Sequence, residues 1–410
     1  MDILSALADA SQWEAYLEYK QRSGNLSRRE EKELRQFIDE TRFLPVAQRV
    51  AEGLPFPPPR RSAISKMHSE KKRIVYTYPK DENQTLKLLT HLLLRKYDHL
   101  FSPGLYSFRT GRSVRDALNQ LTQTPKITEM WSYKVDIRNY FGSVPIKRLL
   151  PMLESALSKE PALYRFLAGL LTDPKAEEQG TLIDDEKGIM AGTPISTFFA
   201  NLYLTELDRY FDSRQRLYAR YSDDIIIFAH TKKQLDKDIA VIRQALDEAG
   251  LSVNPDKESV TSPGEKWIFL GFSYQNGIVD IAPASIEKLK AKMRRKTRSL
   301  MRWKARKKAD GPRAAKAFIK TFNRKLFETT PDHDLTWARW YFPMINTTES
   351  LQTVDHYAQD CIRYLATGKR NKAAFSFRYE QMKELGYISL VNCYYSHLWG
   401  EKKKETVADS

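Results

Sequence analysis

Tyr221-Ser222-Asp223-Asp224 stands between two short apolar runs, Leu217-Tyr218-Ala219 before it and Ile225-Ile226-Ile227-Phe228-Ala229 after it. The flanks are rich in β-branched and aromatic residues, so they read as two antiparallel strands closed by a tight bend. A single Asp is an ordinary turn former, because it bonds its own backbone and tolerates unusual backbone angles. Two adjacent carboxylates beside apolar strands are different, since burying unneutralised charge is costly. A divalent cation removes that cost, and the bend is therefore read as part of a metal site.

Upstream, Trp131-Ser132-Tyr133-Lys134-Val135-Asp136-Ile137 is another strand-like run, in which Asp136 is an odd choice beside Val135 and Ile137. On a strand next to the hairpin it completes a three-carboxylate cluster of the sort that binds two Mg²⁺ ions for in-line phosphoryl transfer, with Mn²⁺ as the alternative. One ion lowers the pKa of an attacking hydroxyl and the other steadies a pyrophosphate leaving group.

The rest of the chain supplies context. Its 410 residues allow two or three domains, and 41% hydrophobic residues are enough to bury real cores. The formal net charge of +16 is concentrated, with twelve Lys or Arg between 285 and 308 against the single acid Glu287, which points to a polyanionic partner. A solvated basic helix with no ligand is the plain alternative. Cys361 and Cys393 are the only cysteines, too few for a disulfide framework or a four-thiolate zinc site. The acidic N-terminal segment and the lack of a roughly 20-residue apolar run predict a cytoplasmic protein with no membrane partner. Histidines such as His68, His91, His99, His230 and His333 show no paired spacing, and packing or surface roles are expected of them.

The organisation expected is a helical extension and proline-rich linker over 1–59, an α+β domain over 60–280, a basic helical segment over 281–345 and a helical extension over 346–410. The run Leu54-Pro55-Phe56-Pro57-Pro58-Pro59 marks the linker, because proline runs cannot continue a helix. A helix over 231–249 is predicted with Thr231 as N-cap and Gly250 as stop, and a single helix is predicted to follow Ser196 with Ile195, Phe198, Phe199, Leu202, Leu207, Tyr210 and Phe211 as its apolar face. The basic segment carries an apolar stripe of Ile286, Leu289, Met293, Leu300 and Trp303. Trp337, Trp340, Tyr341 and Phe342 are expected to pack in a helical bundle rather than to stack bases.

In order along the chain, several blocks resemble the palm of a prokaryotic reverse transcriptase of the group II intron and retron kind. Lys134 to Ile137 with Tyr140-Phe141 resembles the first catalytic block, Gly188 to Ser196 the nucleotide-binding turn, and Tyr221 to Asp224 the second catalytic block. Leu251 to Lys257 is similar to the following Lys-bearing block, Trp267 to Phe272 to the primer-gripping hairpin, and Arg73 to Pro79 with Tyr106 to Ser113 to the fingers blocks. The resemblance covers about 60–280 and implies a right-hand fold of fingers, palm and thumb.

It also implies roles. Asp136, Ile137, Asp223 and Asp224 form the metal site, and Lys257 protonates the leaving pyrophosphate. Arg73, Arg109, Phe141 and Gly192 meet the dNTP, with the Phe141 ring leaving no room for a 2′-hydroxyl and the two arginines holding the triphosphate. Ser196, Leu270, Gly271 and the thumb residues Lys292, Arg295, Arg298 and Arg302 serve the template–primer, with Ser196 also capping the helix that follows. For Lys257 a surface lysine after a turn, for Phe141 a core ring and for Gly271 a bulge are the plain structural alternatives.

Two departures stand out: Met190-Ala191 replaces the Pro-Gln common in intron and retron enzymes, and Ser222 stands where Ala, Val or Cys is frequent. With the stretch Lys383 to Asn392, they resemble defence-associated bacterial groups that pair with a structured noncoding RNA. No Cys/His cluster of an intron-type endonuclease and no further carboxylate constellation of an RNase H type follows residue 345, so retrohoming is not expected. The function implied is RNA-directed DNA synthesis, from a cognate noncoding RNA to a cDNA product in antiphage defence. An RNA-dependent RNA polymerase, disfavoured by Phe141, and an RNA-binding scaffold with vestigial activity are the rivals. The template's identity, the priming mode and the oligomeric state are not encoded in any residue pattern.

Overall fold

The computed structural model describes residues 2–23, 26–65, 72–328 and 336–398; His68, His333 and the lysines at 402–404 lie outside them. The chain divides into two units, 1–23 with 28–265 and 24–27 with 266–410. Strands 267–281 therefore belong with the C-terminal helices, not with the 60–280 segment expected from sequence.

Eight strands are described in the first unit: β1 (Arg60–Ser65), β2 (Lys72–Thr77), β3 (Trp131–Asp136), β4 (Lys175–Glu178), β5 (Thr181–Asp184), β6 (Leu217–Tyr221), β7 (Asp224–Ala229) and β8 (Ser259–Thr261). They form two sheets, one ordered β6-β7-β3-β8 with every pair antiparallel, the other β2-β1-β4-β5. The first is the α+β palm-like sheet that the sequence predicts. Its strand β7 is central and buried on both faces, which is why it reads Ile-Ile-Ile-Phe-Ala without alternation. The Lys232–Glu248 helix covers β7 and β3. Thr231 caps that helix by accepting from the Gln234 amide at 3.2 Å, and Gly250 stops it with φ +69°.

The helix expected as one element after Ser196 is two, Ser196–Tyr203 and Thr205–Ser213. Thr205 Oγ1 donates to the carbonyls of Asn201 and Leu202, competing with the backbone ladder at the break. The proline segment is also not a free linker: Phe56 is buried edge-on to Tyr78 and Phe166. The 1–59 helices pack on the rest of the first unit, through the Lys80–Lys96 and Pro161–Thr172 helices.

Within that packing, His91 lies against Tyr16 and Tyr19, at ring separations of 5.2 and 4.4 Å. Burial, then the charges of Arg95 and Lys20, push its pKa from 6.5 down to about 4. The unfolded chain thus takes up a proton near pH 6.5 that the folded chain refuses until about pH 4. Stability falls as pH drops through that window. Thermal melts of the wild type and His91→Gln at pH 7.5 and pH 5 check this, the variant losing less of its melting temperature on acidification.

The second unit opens with an antiparallel meander, β9 (Trp267–Phe269), β10 (Phe272–Gln275) and β11 (Ile278–Ile281), and continues into the Pro283–Lys307, Gly311–Leu326 and Glu349–Thr367 helices, which pack on one another. The first of these buries Ile286, Leu289, Met293, Thr297 and Leu300, while Trp303 stays partly exposed beneath the Arg313 guanidinium. Tyr341 and Phe342 are buried against Phe272 and Tyr394, as the packing reading requires. The segment resembling the tails of noncoding-RNA-linked groups is moored on one buried carboxylate. Asp355 accepts from Tyr387 Oη, Ser389 Oγ and the amides of Leu390 and Val391.

Candidate active site

The register of the palm sheet sets the site. Asp136 at the end of β3 lies directly opposite Asp224 at the start of β7, and Tyr221 pairs with Asp224, leaving Ser222-Asp223 as a two-residue turn. Ser222 takes φ +60°, the primed-turn geometry that matches strand twist and that sequence alone associates with Gly or Asn. A buried support compensates for that backbone. The Ser222 amide donates to Ser107 Oγ at 2.9 Å, and the Ser222 carbonyl accepts from Arg220 Nη1 at 3.3 Å. Arg220 is fully buried and doubly bonded to Asp208, also fully buried, with Nε–Oδ1 at 2.7 Å and Nη2–Oδ2 at 2.5 Å; Tyr218 Oη joins the same carboxylate at 2.9 Å. The remaining Arg220 donors reach the Ala200 and Asn201 carbonyls. Sequence reading misses this pair, although an arginine inside a strand run is itself a signal that a buried counter-charge waits elsewhere.

Electrostatics around the three carboxylates are uneven. Asp136 is buried and bound by Lys257 Nζ at 2.6 Å and Asn254 Nδ2 at 3.2 Å. Asp224 has Lys134 Nζ at 3.5 Å. Asp223 makes no ion pair among the described residues. Burial raises the pKa of Asp223, aided by the charge of Asp136, and burial also raises that of Asp224 against the opposing pull of Lys134. Burial lowers the Lys257 pKa, but its hydrogen bond with Asp136 and the surrounding carboxylates overcome this and leave it raised. Lys257 is thus an exposed lysine bonded to the Asp136 carboxylate. Residue type alone assigns no role to Lys134 or Asn254.

Among the described residues no three His, Cys, Asp or Glu side chains converge as a ready-made metal site. The donor chemistry still fits a hard divalent ion: three carboxylates brought together at the strand ends and turn, two with pKa values raised chiefly by burial. Ile137 is 1% exposed and apolar, so only its backbone carbonyl could serve an ion, while its amide donates to the Asp223 carbonyl at 2.9 Å.

The predicted nucleotide residues part company. Phe141 is half-buried, not a core ring, and its carbonyl accepts from the Ile189 amide at 2.9 Å, which ties the first block to the Gly188–Ser196 turn. Arg73 on β2 is exposed with no ion pair among the described residues. Arg109 is corrected: its guanidinium is saturated by the Asp98 carboxylate and the Ser102 and Leu105 carbonyls, leaving nothing for a triphosphate. Gly192 is constrained by the fold itself. Its φ is +101°, and a Cβ there would come 3.0 Å from the Tyr76 carbonyl oxygen and 3.1 Å from Val75 Cβ, so its small size serves the chain's own strand β2. Ser196 is 1% exposed and donates to the Thr193 carbonyl at 2.6 Å; it neither caps through its side chain nor reaches outward to a template.

In the second unit Leu270-Gly271 joins β9 to β10 with φ +49° and +88°, a tight turn in place of the bulge alternative. A leucine in the left-handed region is strained, the kind of backbone outlier that clusters at functional sites. The thumb residues split. Lys292 and Arg295 lie near Lys325, whose pKa is lowered by burial and then by their charges, whereas Arg298 faces the Glu349–Thr367 helix and Arg302 is exposed.

An antiparallel sheet that puts one carboxylate opposite another at a two-residue turn, with a third acid in the turn, defines a polymerase palm. The chain belongs to the reverse transcriptase (RNA-dependent DNA polymerase) family, whose model matches residues 64–274. It is 24% identical over 340 residues to an uncharacterized 91 kDa protein in the cob intron of Schizosaccharomyces pombe, a match covering 62% of this chain and 41% of that protein. It is 22% identical over 161 residues to a putative COX1/OXI3 intron 2 protein of Saccharomyces cerevisiae, covering 39% and 18%. The chain thus spans less than half the length of these curated relatives. Among solved structures it is similar to apo telomerase from Candida tropicalis, with 11% identity, 81% of this chain and 60% of that one covered and a TM-score of 0.48. It is also similar to Candida albicans telomerase in complex with a TWJ fragment of telomeric RNA, with 11% identity, 83% and 66% covered and a TM-score of 0.45. Likeness as distant as these two carries no argument about activity.

Proposed function

We propose that this protein is an RNA-directed DNA polymerase that extends a primer with dNTPs. The observation that carries it is the register that sets Asp136 against Asp224 beside Asp223. Asp136, Asp223 and Asp224 would hold two Mg²⁺ ions, which when bound supply an acidified primer hydroxyl and charge neutralisation of the leaving pyrophosphate. The 3′-hydroxyl forms the new P–O bond at the α-phosphorus while the α–β bridging bond breaks. Lys257, kept protonated beside Asp136, is placed to give its proton to the pyrophosphate. Arg73 remains available for the triphosphate. The contacts of Ser107 and Arg220 with the Ser222 backbone position the acids. Primer extension on a homopolymeric RNA with an annealed DNA primer tests the reading; a wild type that prefers NTPs overturns it.

Phe141 is the residue expected to set sugar choice. Its neighbour Tyr140 is buried and fixed to the Ala200 carbonyl at 2.7 Å, so the backbone that aims the Phe141 ring is anchored. Phe141→Ala is expected to cut the preference for dNTP over NTP by about tenfold to a hundredfold, read as the ratio of kcat/KM values for single incorporations. Unchanged discrimination would return Phe141 to a packing role.

The finer reading is a structured noncoding RNA template and a role in bacterial antiphage defence. Ser222 and Met190-Ala191 support it as departures from intron and retron patterns, and the Asp355-moored tail by its resemblance to those of noncoding-RNA-linked groups. Sequencing RNA and DNA that co-purify with the wild type, but not cDNA with an Asp223, Asp224 double variant, tests it.

A further inference from the structure

A cleft of about 480 Å³ lies wholly within the second unit, between the Pro283–Lys307 and Glu349–Thr367 helices and the 369–375 segment. The local sequence explains its shape. Gly368 ends the long helix in the left-handed conformation, φ +73°, with its amide on the Tyr364 carbonyl. The chain then reverses, and Asn371 starts a short 3₁₀ turn, Lys372–Ser376, by accepting from the Ala373 amide. This brings Lys369, Arg370 and Lys372 to the mouth, opposite Arg294 and Arg298 of the basic helix, with Asp360 the one acid lining the cleft.

Charge alone would make this a solvated patch, but two further features are not explained that way. Phe375 lines the cleft with 60% of its surface exposed, an apolar ring left in water beside cations. The Arg363 guanidinium lies 4.5 Å over that ring, its side chain only 13% exposed, and its Nε is buried without a hydrogen-bond partner. A desolvated, unbonded donor normally has a partner that is missing. Tyr364 is a second aromatic wall, under Arg370 at 4.2 Å.

The geometry points to a nucleotide pocket: an unpaired nucleotide stacks its base on Phe375 while its phosphate sits among Arg363, Arg370 and Lys372. Guanidinium forks and ammonium groups suit phosphate oxygens, an exposed aromatic face suits any base, and the volume falls in the range of small-ligand sites. A duplex offers its bases only stacked on each other, so the pocket selects single-stranded or terminal nucleotides. None of these residues belongs to the carboxylate site.

The test uses the full chain, with Phe375→Ala and Arg370→Glu, both at exposed positions. Binding of fluorescein-labelled five-nucleotide RNA and DNA strands and of a blunt duplex is followed by anisotropy, with AMP and pyrophosphate as competitors. Each variant is expected to bind the single strands about tenfold more weakly, to bind duplex unchanged, and in the wild type AMP is expected to compete better than pyrophosphate. The tighter of the RNA and DNA strands identifies which one supplies the nucleotide. A 4-thiouridine strand is expected to crosslink within 364–375. Wild-type affinity in Phe375→Ala, equal competition by pyrophosphate and AMP, or crosslinks only elsewhere overturns the pocket. Incorporation on a short annealed template–primer stays at the wild-type level in both variants, so failure of the pocket and failure of the polymerase reading are separately visible.

Discussion

An Asp223→Asn, Asp224→Asn double variant loses nucleotide incorporation by at least about a thousandfold yet melts no lower than the wild type. The first half follows from charge, since catalysis by bound cations rests on carboxylate ligands, and losing even one group that stabilises developing charge costs on the order of a hundredfold to a thousandfold. The second half follows from burial. Both carboxyls are held above their ordinary pKa of 3.8, chiefly by desolvation. Ionising them therefore costs more in the fold than in the unfolded chain. That cost is absent below the ordinary value and complete above the raised one, so at neutral pH the amides are spared it. Mg²⁺ provides an independent readout, because an ion that binds only the native state raises its melting temperature. The wild type is expected to gain on Mg²⁺ addition and the double variant to gain nothing. A variant that keeps more than a tenth of wild-type incorporation would remove the carboxylates from the chemistry.

Asp208→Asn is the second large effect, and it acts on the fold first. It leaves the fully buried Arg220 guanidinium without its counter-charge, a change worth about 3–5 kcal/mol. For a unit of this size that is a melting temperature lower by roughly 6–20 °C. Because Arg220 also holds the Ser222 carbonyl, the surviving folded fraction should show a reduced kcat with little change in KM. The paired replacement Asp208→Leu, Arg220→Met separates the two roles: removing both charges is expected to restore much of the stability but not the kcat. If the pair is no more stable than the single variant, the ion pair is not what the single variant lost.

What the sequence made legible was local. The apolar runs about Asp223-Asp224 and about Asp136 announce strands by composition, and the strand that ends in Asp136 and the one that starts at Asp224 pair because their apolar faces must be buried together. Thr231 and Gly250 bracket a helix by rules that operate within four residues. What stayed hidden depends on distant partners. Arg109 read as a phosphate ligand because a guanidinium carries no mark of prior engagement, and only the fold shows Asp98 and two carbonyls filling it. Ser196 read as serving a template, yet the packing around it leaves the side chain 1% exposed and its hydroxyl bonds the Thr193 carbonyl. Lys134 and Asn254 were in plain view within their motifs. Their contacts with Asp224 and Asp136 arise from strand register and from the turn after Leu251, neither of which residue type reveals.

Gly192 has a consequence for how this chain can vary. Its backbone angle strains any residue with a side chain, and a Cβ would press against the Tyr76 carbonyl oxygen and Val75 Cβ. The obstacles are independent, so shrinking Val75 still leaves the Tyr76 carbonyl and the backbone angle. In evolutionary terms the position is expensive to vary, since any replacement must be matched by adjustments in both the turn and strand β2.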